Sequence, residues 1–386
     1  MSKNESLVPI KTLLFSFHAT NTIILSFLPL YLKFKGLNGT EIGWVLAIGP
    51  FASIVSQPFW GYLSDKYKTV KYILLVCVIG LLISSTIFFQ MNSLLMILSV
   101  GAIFYFFTTP IGALGDSLAQ RRANALGVSF GKIRMWGSIG FATSALIIGE
   151  ILNRVGVQHM IWPYLFFGTI ALIVVIRLKD VRTTDDPVHI RDVGKLLQKK
   201  HYSIFILLMI FITVTHRAND SFIGLYVTEL GGTENLVGLA WFVGVISEAI
   251  VFAIAYLWFR KFHPIIFVII AGAIYTVRWF IYGSIHDPMT LISFQVLHGI
   301  TFGMFYLSAF DYVTRLIPKA LQSTGHLIYY SVFFGVSGII GSLAGGSIIE
   351  HFNGQTLYNV LGYTSLIGTI AFIIYYMIFT RKIVEQ

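Results

Sequence analysis

Along most of the chain the apolar residues come in long runs instead of alternating with polar ones. Each run is about 20 residues, the length an α-helix needs to cross a hydrocarbon core of about 30 Å. Twelve runs are read at 12–34, 41–63, 70–91, 93–118, 131–153, 158–178, 202–228, 235–258, 264–285, 288–312, 325–349 and 356–380. They predict an all-α membrane protein, because a spanning segment has to satisfy its own backbone hydrogen bonds. The opening MSKNESLVPIK leads into an apolar run that continues to Leu32 without a small-residue cleavage site, so it reads as a retained first helix and not a removed signal peptide. The longest polar segment, from Arg177 to Lys200, falls near the middle. It divides the chain into an N-terminal six-helix half over 1–178, a cytoplasmic linker over 179–200 and a C-terminal six-helix half over 201–386.

Basic residues set the expected orientation. One set of loops holds Lys3, Lys11, Lys66, Lys68, Lys71, Arg121, Arg122, the stretch from Arg177 to Lys200, Arg260, Lys261, Arg315, Lys319, Arg381 and Lys382; the other holds only Lys33, Lys35 and Arg154. The positive-inside rule then places both termini in the cytoplasm. The halves also repeat weakly. A shift of 195 residues sets Gly43 on Gly238 and Gly49 on Gly244, and a shift of 198 sets Gly137, Gly140, Ser144 and Gly156 on Gly335, Gly338, Ser342 and Gly354. Parallel repeats around a midplane site are an architecture of alternating-access transporters.

Composition agrees: 56% of the 386 residues are hydrophobic and 11% charged, far below the charged share of soluble domains. The net charge of +10 is therefore read as topology and not as a nucleic-acid footprint. A single cysteine, Cys77, excludes a disulfide framework or thiolate metal site. There is no Walker A loop to spend ATP, and no HExxH or CxxC cluster to hold a metal. The chain is not expected to be an enzyme or to carry a cofactor or metal.

An ionisable side chain in mid-span costs about 3 kcal/mol or more unless it is paired or faces water, so such groups are functional candidates. Here they are Asp116, Asp220 and Glu248 among the acids, and Arg134, Arg217 and Arg278 among the bases, with His298 beside them. Arg217 and Asp220 are three residues apart on one helical face and are expected to neutralise each other. His18 and Asn21 are candidates to line a cavity from the first helix.

Two segments carry a family resemblance. GYLSDKYKTVK, from Gly61 to Lys71, resembles the signature loop of the major facilitator superfamily through Gly61, Leu63, Asp65, Lys66 and Lys71; Lys68 stands where that family usually has glycine. FGKIRMWGSIGF, from Phe130 to Phe141, looks like the helix 4–5 region of 3-phenylpropionate transporters and, more distantly, of lactose permease, with Asp116 lying 18 positions before Arg134 as in both. The resemblance continues through Glu248, Arg278 and His298 on helices 8, 9 and 10, and covers the chain from the first helix through helix 10. Two departures stand out. Phe141 replaces the stacking tryptophan of lactose permease, and Thr301 replaces its coupling carboxylate three residues after the histidine.

The resemblance implies a major facilitator fold and a proton-coupled symporter importing a small organic solute by alternating access. It assigns substrate contacts to Asp116, Arg134, Phe141, His18 and Asn21, proton coupling to Glu248, Arg278, His298, Asp220 and Arg217, and a conformational loop to Gly61, Leu63, Asp65 and Lys66. One pocket arginine among many aromatics points first to an aromatic carboxylate. An oligosaccharide or nucleoside is the runner-up, and a non-transporting sensor or scramblase on the same fold the alternative of another class. The expected partners are the solute, protons and membrane lipids but not nucleic acid, and the expected setting is a monomer in the bacterial plasma membrane.

Overall fold

A computed structural model describes residues 6–180, 194, 196–259, 262–318 and 321–380, without the side chains of Asn124, Tyr256, Ser323 and Thr380. Most of the expected linker, and the basic residues Lys3, Arg260, Lys261, Lys319, Arg381 and Lys382, lie outside the described residues. Among those described there is no strand, and twelve helices are long and apolar enough to cross a membrane. In chain order they are α1 (Val8–Phe34), α2 (Gly39–Lys66), α3 (Lys71–Phe88), α4 (Leu94–Leu126), α5 (Phe130–Val155) and α6 (Ile161–Arg177), then α7 (Lys200–Glu229), α8 (Glu234–Ala253), α9 (Pro264–Tyr282), α10 (Pro288–Leu316), α11 (Thr324–His351) and α12 (Gly354–Phe379).

Local chemistry sets several boundaries. Asn38 and Glu41 form a reciprocal capping box at the start of α2, Asp287 caps α10 through the Thr290 N–H, and Asn353 caps α12 through the Thr356 N–H. Each satisfies backbone donors that the first helical turn leaves unpaired. Besides the π-helical turn over Tyr376–Thr380 that ends α12, two helices are interrupted within their length. A π-helical turn over Gly299–Gly303 interrupts α10 and another over Ser331–Val336 interrupts α11. Such turns are rare and cluster at functional sites.

The chain packs as two compact units, Met1–Pro187 with Thr233–Phe242, and Val188–Gly232 with Val243–Gln386. The first turns of α8 thus go with the N-terminal unit. Within the first unit α1 packs on α5 and α6, and α3 on α4 and α6; within the second α7 packs on α11 and α12, and α9 on α10 and α12. These four pairings correspond between the units. Small residues permit the central crossings. A Cβ on Gly140 would lie 2.3 Å from the Phe15 carbonyl oxygen at the α1–α5 crossing, and one on Gly341 would lie 2.8 Å from the Ala218 nitrogen at the α7–α11 crossing. Close backbone approach through glycine is how helices associate where no hydrophobic effect drives them together.

Candidate transport site

In the N-terminal unit, Arg134 stands one turn into α5 and Asp116 lies on α4. Arg134 Nε donates to Asp116 Oδ2 at 3.2 Å and lies 3.1 Å from Oδ1. The side chains keep 33% and 36% exposure, so the pair is only partly buried. Oδ1 itself accepts no hydrogen bond. His18 on α1 reaches the same place: a Cβ on Gly137 would lie 2.9 Å from His18 Nε2 and 2.6 Å from Arg134 Nη1. His18 Nε2 is buried without a hydrogen-bond partner. One turn along α1, the exposed Asn21 is followed by Thr22, whose hydroxyl donates to the Phe141 carbonyl at 3.1 Å. Phe141 meets Trp241 of α8, ring centres 5.7 Å apart and planes at 59°. Of the five residues expected to contact substrate, His18 on α1 and Asp116 on α4 lie beside Arg134 of α5, Phe141 of α5 meets Trp241, and Asn21 is exposed on α1.

The C-terminal unit gathers a second set. On α7, Arg217 Nη1 pairs with Asp220 Oδ2 at 2.7 Å, and His216 Nε2 lies 3.4 Å from the same oxygen. His216 Nδ1 shares a hydrogen bond of 3.1 Å with the Tyr275 hydroxyl of α9, and its ring stacks on Phe302 at 4.7 Å. Phe302 sits in the π-helical turn of α10, immediately after which the helix resumes at Met304. Just before that turn is His298, its ring 5.5 Å from that of His216 and its Nε2 3.8 Å from Glu248 Oε2. That spacing suits an ion pair but exceeds a direct hydrogen bond.

Arg278 differs from the other residues expected to take part in proton coupling in having no carboxylate beside it among the described ion pairs. It is fully buried and donates to three neutral oxygens: Thr301 Oγ1 at 2.8 Å, Gln295 Oε1 at 2.6 Å and the Tyr282 hydroxyl at 3.2 Å. Trp279 and Tyr282 flank its guanidinium at 4.7 and 5.1 Å. Among the described ion pairs Glu248 is joined to His298, and none joins Arg278 to a carboxylate.

The signature loop differs in detail from its sequence reading. Gly61, Leu63, Asp65 and Lys66 all belong to the last turns of α2. Gly61 does not end the helix; it lies inside it, and a Cβ there would meet nothing within 4 Å. The conformational demand falls on Lys68, which has φ 53°. Glycine adopts such a left-handed backbone without the steric cost that a Cβ brings. The N-terminus of α3 is occupied by Asp180, which accepts from the backbone N–H groups of Val70 at 3.2 Å and Lys71 at 3.0 Å. The chain just after α6 is thereby tied to the start of α3.

A sequence model of the MFS_1 like family matches residues 7–360. The chain belongs to that family. Twelve spans together with this membership make it a multi-pass membrane protein. It is 26% identical over 357 residues to the uncharacterized transporter YwbF of Bacillus subtilis, covering 92% of this chain and 89% of the relative. It is 25% identical to the maltose permease of Geobacillus stearothermophilus (88% and 86% covered) and 24% identical to a probable 3-phenylpropionic acid transporter of Escherichia coli (90% and 90% covered). Two crystal structures of the nucleoside transporter NupG share its fold with TM-scores of 0.88 and 0.87, at 16% identity, covering 96% of this chain and 99% and 98% of theirs. These relatives are transporters and permeases, and their substrates differ.

Within this family member, sequence reasoning missed His216, Tyr275, Gln295 and Trp241. His216 was legible in the segment HRAND, where it stands four residues before Asp220, an i, i+4 pair on one helical face. Trp241 carried no such signal, because its neighbour Phe141 is 100 positions away in the chain.

Proposed function

We propose that this chain is a proton-coupled symporter that imports a small, neutral, hydroxyl-bearing organic solute by alternating access, with both termini in the cytoplasm. The observation that carries the substrate reading is the ion pair of Arg134 with Asp116. An arginine whose charge is already met by a carboxylate at 3.1 Å has little net charge left for an anion. The pair offers hydroxyl groups what they need instead, guanidinium donors beside a carboxylate acceptor. This favours the sugar or nucleoside reading over the aromatic carboxylate expected first from sequence. Relatives named for maltose and nucleosides are compatible with it.

Proton coupling is supported by the grouping of Asp220, Glu248, His216 and His298 in the C-terminal unit, apart from the Asp116–Arg134 pair. Protonation of Asp220 would release Arg217, and protonation of Glu248 would release His298. Either event changes the local charge balance in a medium where unpaired charge is costly. The membrane lipids are the solvent of the outer faces, and the chain acts as a monomer.

Uptake into proteoliposomes of purified protein tests this reading, with maltose, uridine and 3-phenylpropionate as probes. Accumulation of maltose or uridine should follow an inward proton gradient and collapse with a protonophore. Accumulation that tracks a sodium gradient and ignores the protonophore would remove proton coupling from the proposal. Transport of 3-phenylpropionate alone would return the substrate to the carboxylate class.

A further inference from the structure

The aromatic end of the N-terminal site holds a side chain that packing alone does not account for. Trp241 is 6% exposed, and its Nε1 is buried with no hydrogen-bond acceptor. A buried indole normally finds a partner for its N–H, because an unmet donor forfeits the hydration it had in water. If filling space beside Phe141 were its whole task, a phenylalanine or leucine would do so without that loss. The residue lies in Thr233–Phe242, the part of α8 that packs with the N-terminal unit.

The surroundings say what kind of group it faces. The Trp241 and Phe141 rings meet at 59° and not face to face, which makes a corner of two aromatic walls. From Phe141 back to Arg134 is seven residues, two turns of α5, or about 10 Å along the axis. At the far end Asp116 Oδ1, which lies 3.1 Å from Arg134 Nε, and His18 Nε2 are also buried without hydrogen-bond partners. One wall about 10 Å long therefore has donors and acceptors at one end and an aromatic corner with a single unmet donor at the other. Two linked rings have that length, with hydroxyls for the ion pair and a ring face for the corner.

We infer that Trp241 is a specificity-determining residue that contacts substrate: its indole N–H donates to an oxygen of a two-ring glycoside, a disaccharide or nucleoside, whose terminal ring lies against Phe141. This rests on the function proposed above and extends it to a residue on α8. No covalent step is involved, and Trp241 selects by supplying one hydrogen bond that solutes lacking the oxygen cannot use.

The test uses the full-length protein in proteoliposomes, with uridine, maltose and their single-deoxy analogues. In the wild type one deoxy analogue should bind about tenfold more weakly than its parent, the equivalent of one hydrogen bond. Trp241→Phe keeps an aromatic ring and removes the N–H, so it should weaken the parent about tenfold while that deoxy analogue binds it no worse than the parent does. Trp241→Leu removes the corner as well and should weaken both compounds further. Parent and deoxy analogues discriminated equally by wild type and Trp241→Phe would overturn the inference while leaving proton-coupled uptake standing. Failure of the wild type to take up either glycoside would overturn this inference and the substrate reading together, and protonophore-sensitive uptake of 3-phenylpropionate would then separate the substrate error from the coupling.

Discussion

Arg278 Nη1 donates to Thr301 Oγ1 at 2.8 Å, so a hydroxyl stands beside a fully buried guanidinium. The Thr301 hydroxyl donates a shared hydrogen bond to the Leu297 and His298 carbonyls at 2.9 and 3.1 Å, which leaves a lone pair for the arginine. Gln295 and Tyr282 complete the set, and Tyr282 also donates to Gln295 Oε1 at 3.2 Å. This arrangement joins α9 to α10 through neutral acceptors, and its charge does not depend on a titrating carboxylate.

Thr301→Val keeps the shape and removes the acceptor from a buried charge. The folded state should lose about 1.5–3 kcal/mol, the worth of a hydrogen bond to a charged group, read as a lower melting temperature in detergent. Thr301→Glu should instead introduce an ion pair with Arg278 and add a pH dependence to the melting temperature that Thr301→Val lacks. A Thr301→Val protein that melts with the wild type would show that Gln295 and Tyr282 suffice.

Glu248 and Asp220 compete as proton carriers, and their neighbours separate them. Glu248, with 24% of its side chain exposed, has only His298 as an ionic partner among the described pairs, whereas Asp220, at 6%, has Arg217 and His216. Glu248→Gln leaves no buried arginine newly unpaired. It should bind and exchange solute across the membrane while failing to accumulate it against a gradient. Asp220→Asn strands Arg217 and should lower stability by about 3–5 kcal/mol as well, as for a broken buried pair. Counterflow and gradient-driven uptake measured on both variants decide the matter; accumulation at the wild-type level in Glu248→Gln assigns the proton to Asp220.

Lys68 holds a left-handed backbone, with φ 53°, in the turn between α2 and α3. A side chain there costs about 1–2 kcal/mol relative to a residue without a Cβ, partly offset by the greater entropy of glycine when unfolded. Lys68→Gly should therefore raise thermal stability slightly, by up to about 1 kcal/mol. Lys68→Val, β-branched in the same conformation, should lower it. Equal melting temperatures for the two variants would mean that the turn relaxes to another conformation.

Much of this protein follows from its sequence. Length and hydropathy fix twelve helices, because a spanning segment has to bury its own backbone polar groups, and that constraint is local. The Arg217–Asp220 pair was legible for the same reason: three residues of α-helix bring both side chains to one face. The Asp116–Arg134 pair was legible through resemblance and spacing, and the structure closes it at 3.1 Å. Partner choice between helices was not. Glu248, Arg278 and His298 all look available to one another in the sequence, yet Glu248 lies against His298 while Arg278 turns to Thr301, Gln295 and Tyr282. That selection depends on how far each helix is rotated about its axis, and in α10 the π-helical turn at Gly299–Gly303 changes the rotation between His298 and everything after Met304. Trp241 is the extreme case. Its neighbour is set by which unit the first turns of α8 pack with, a choice decided by contacts with α5 that lie 100 residues away in the chain.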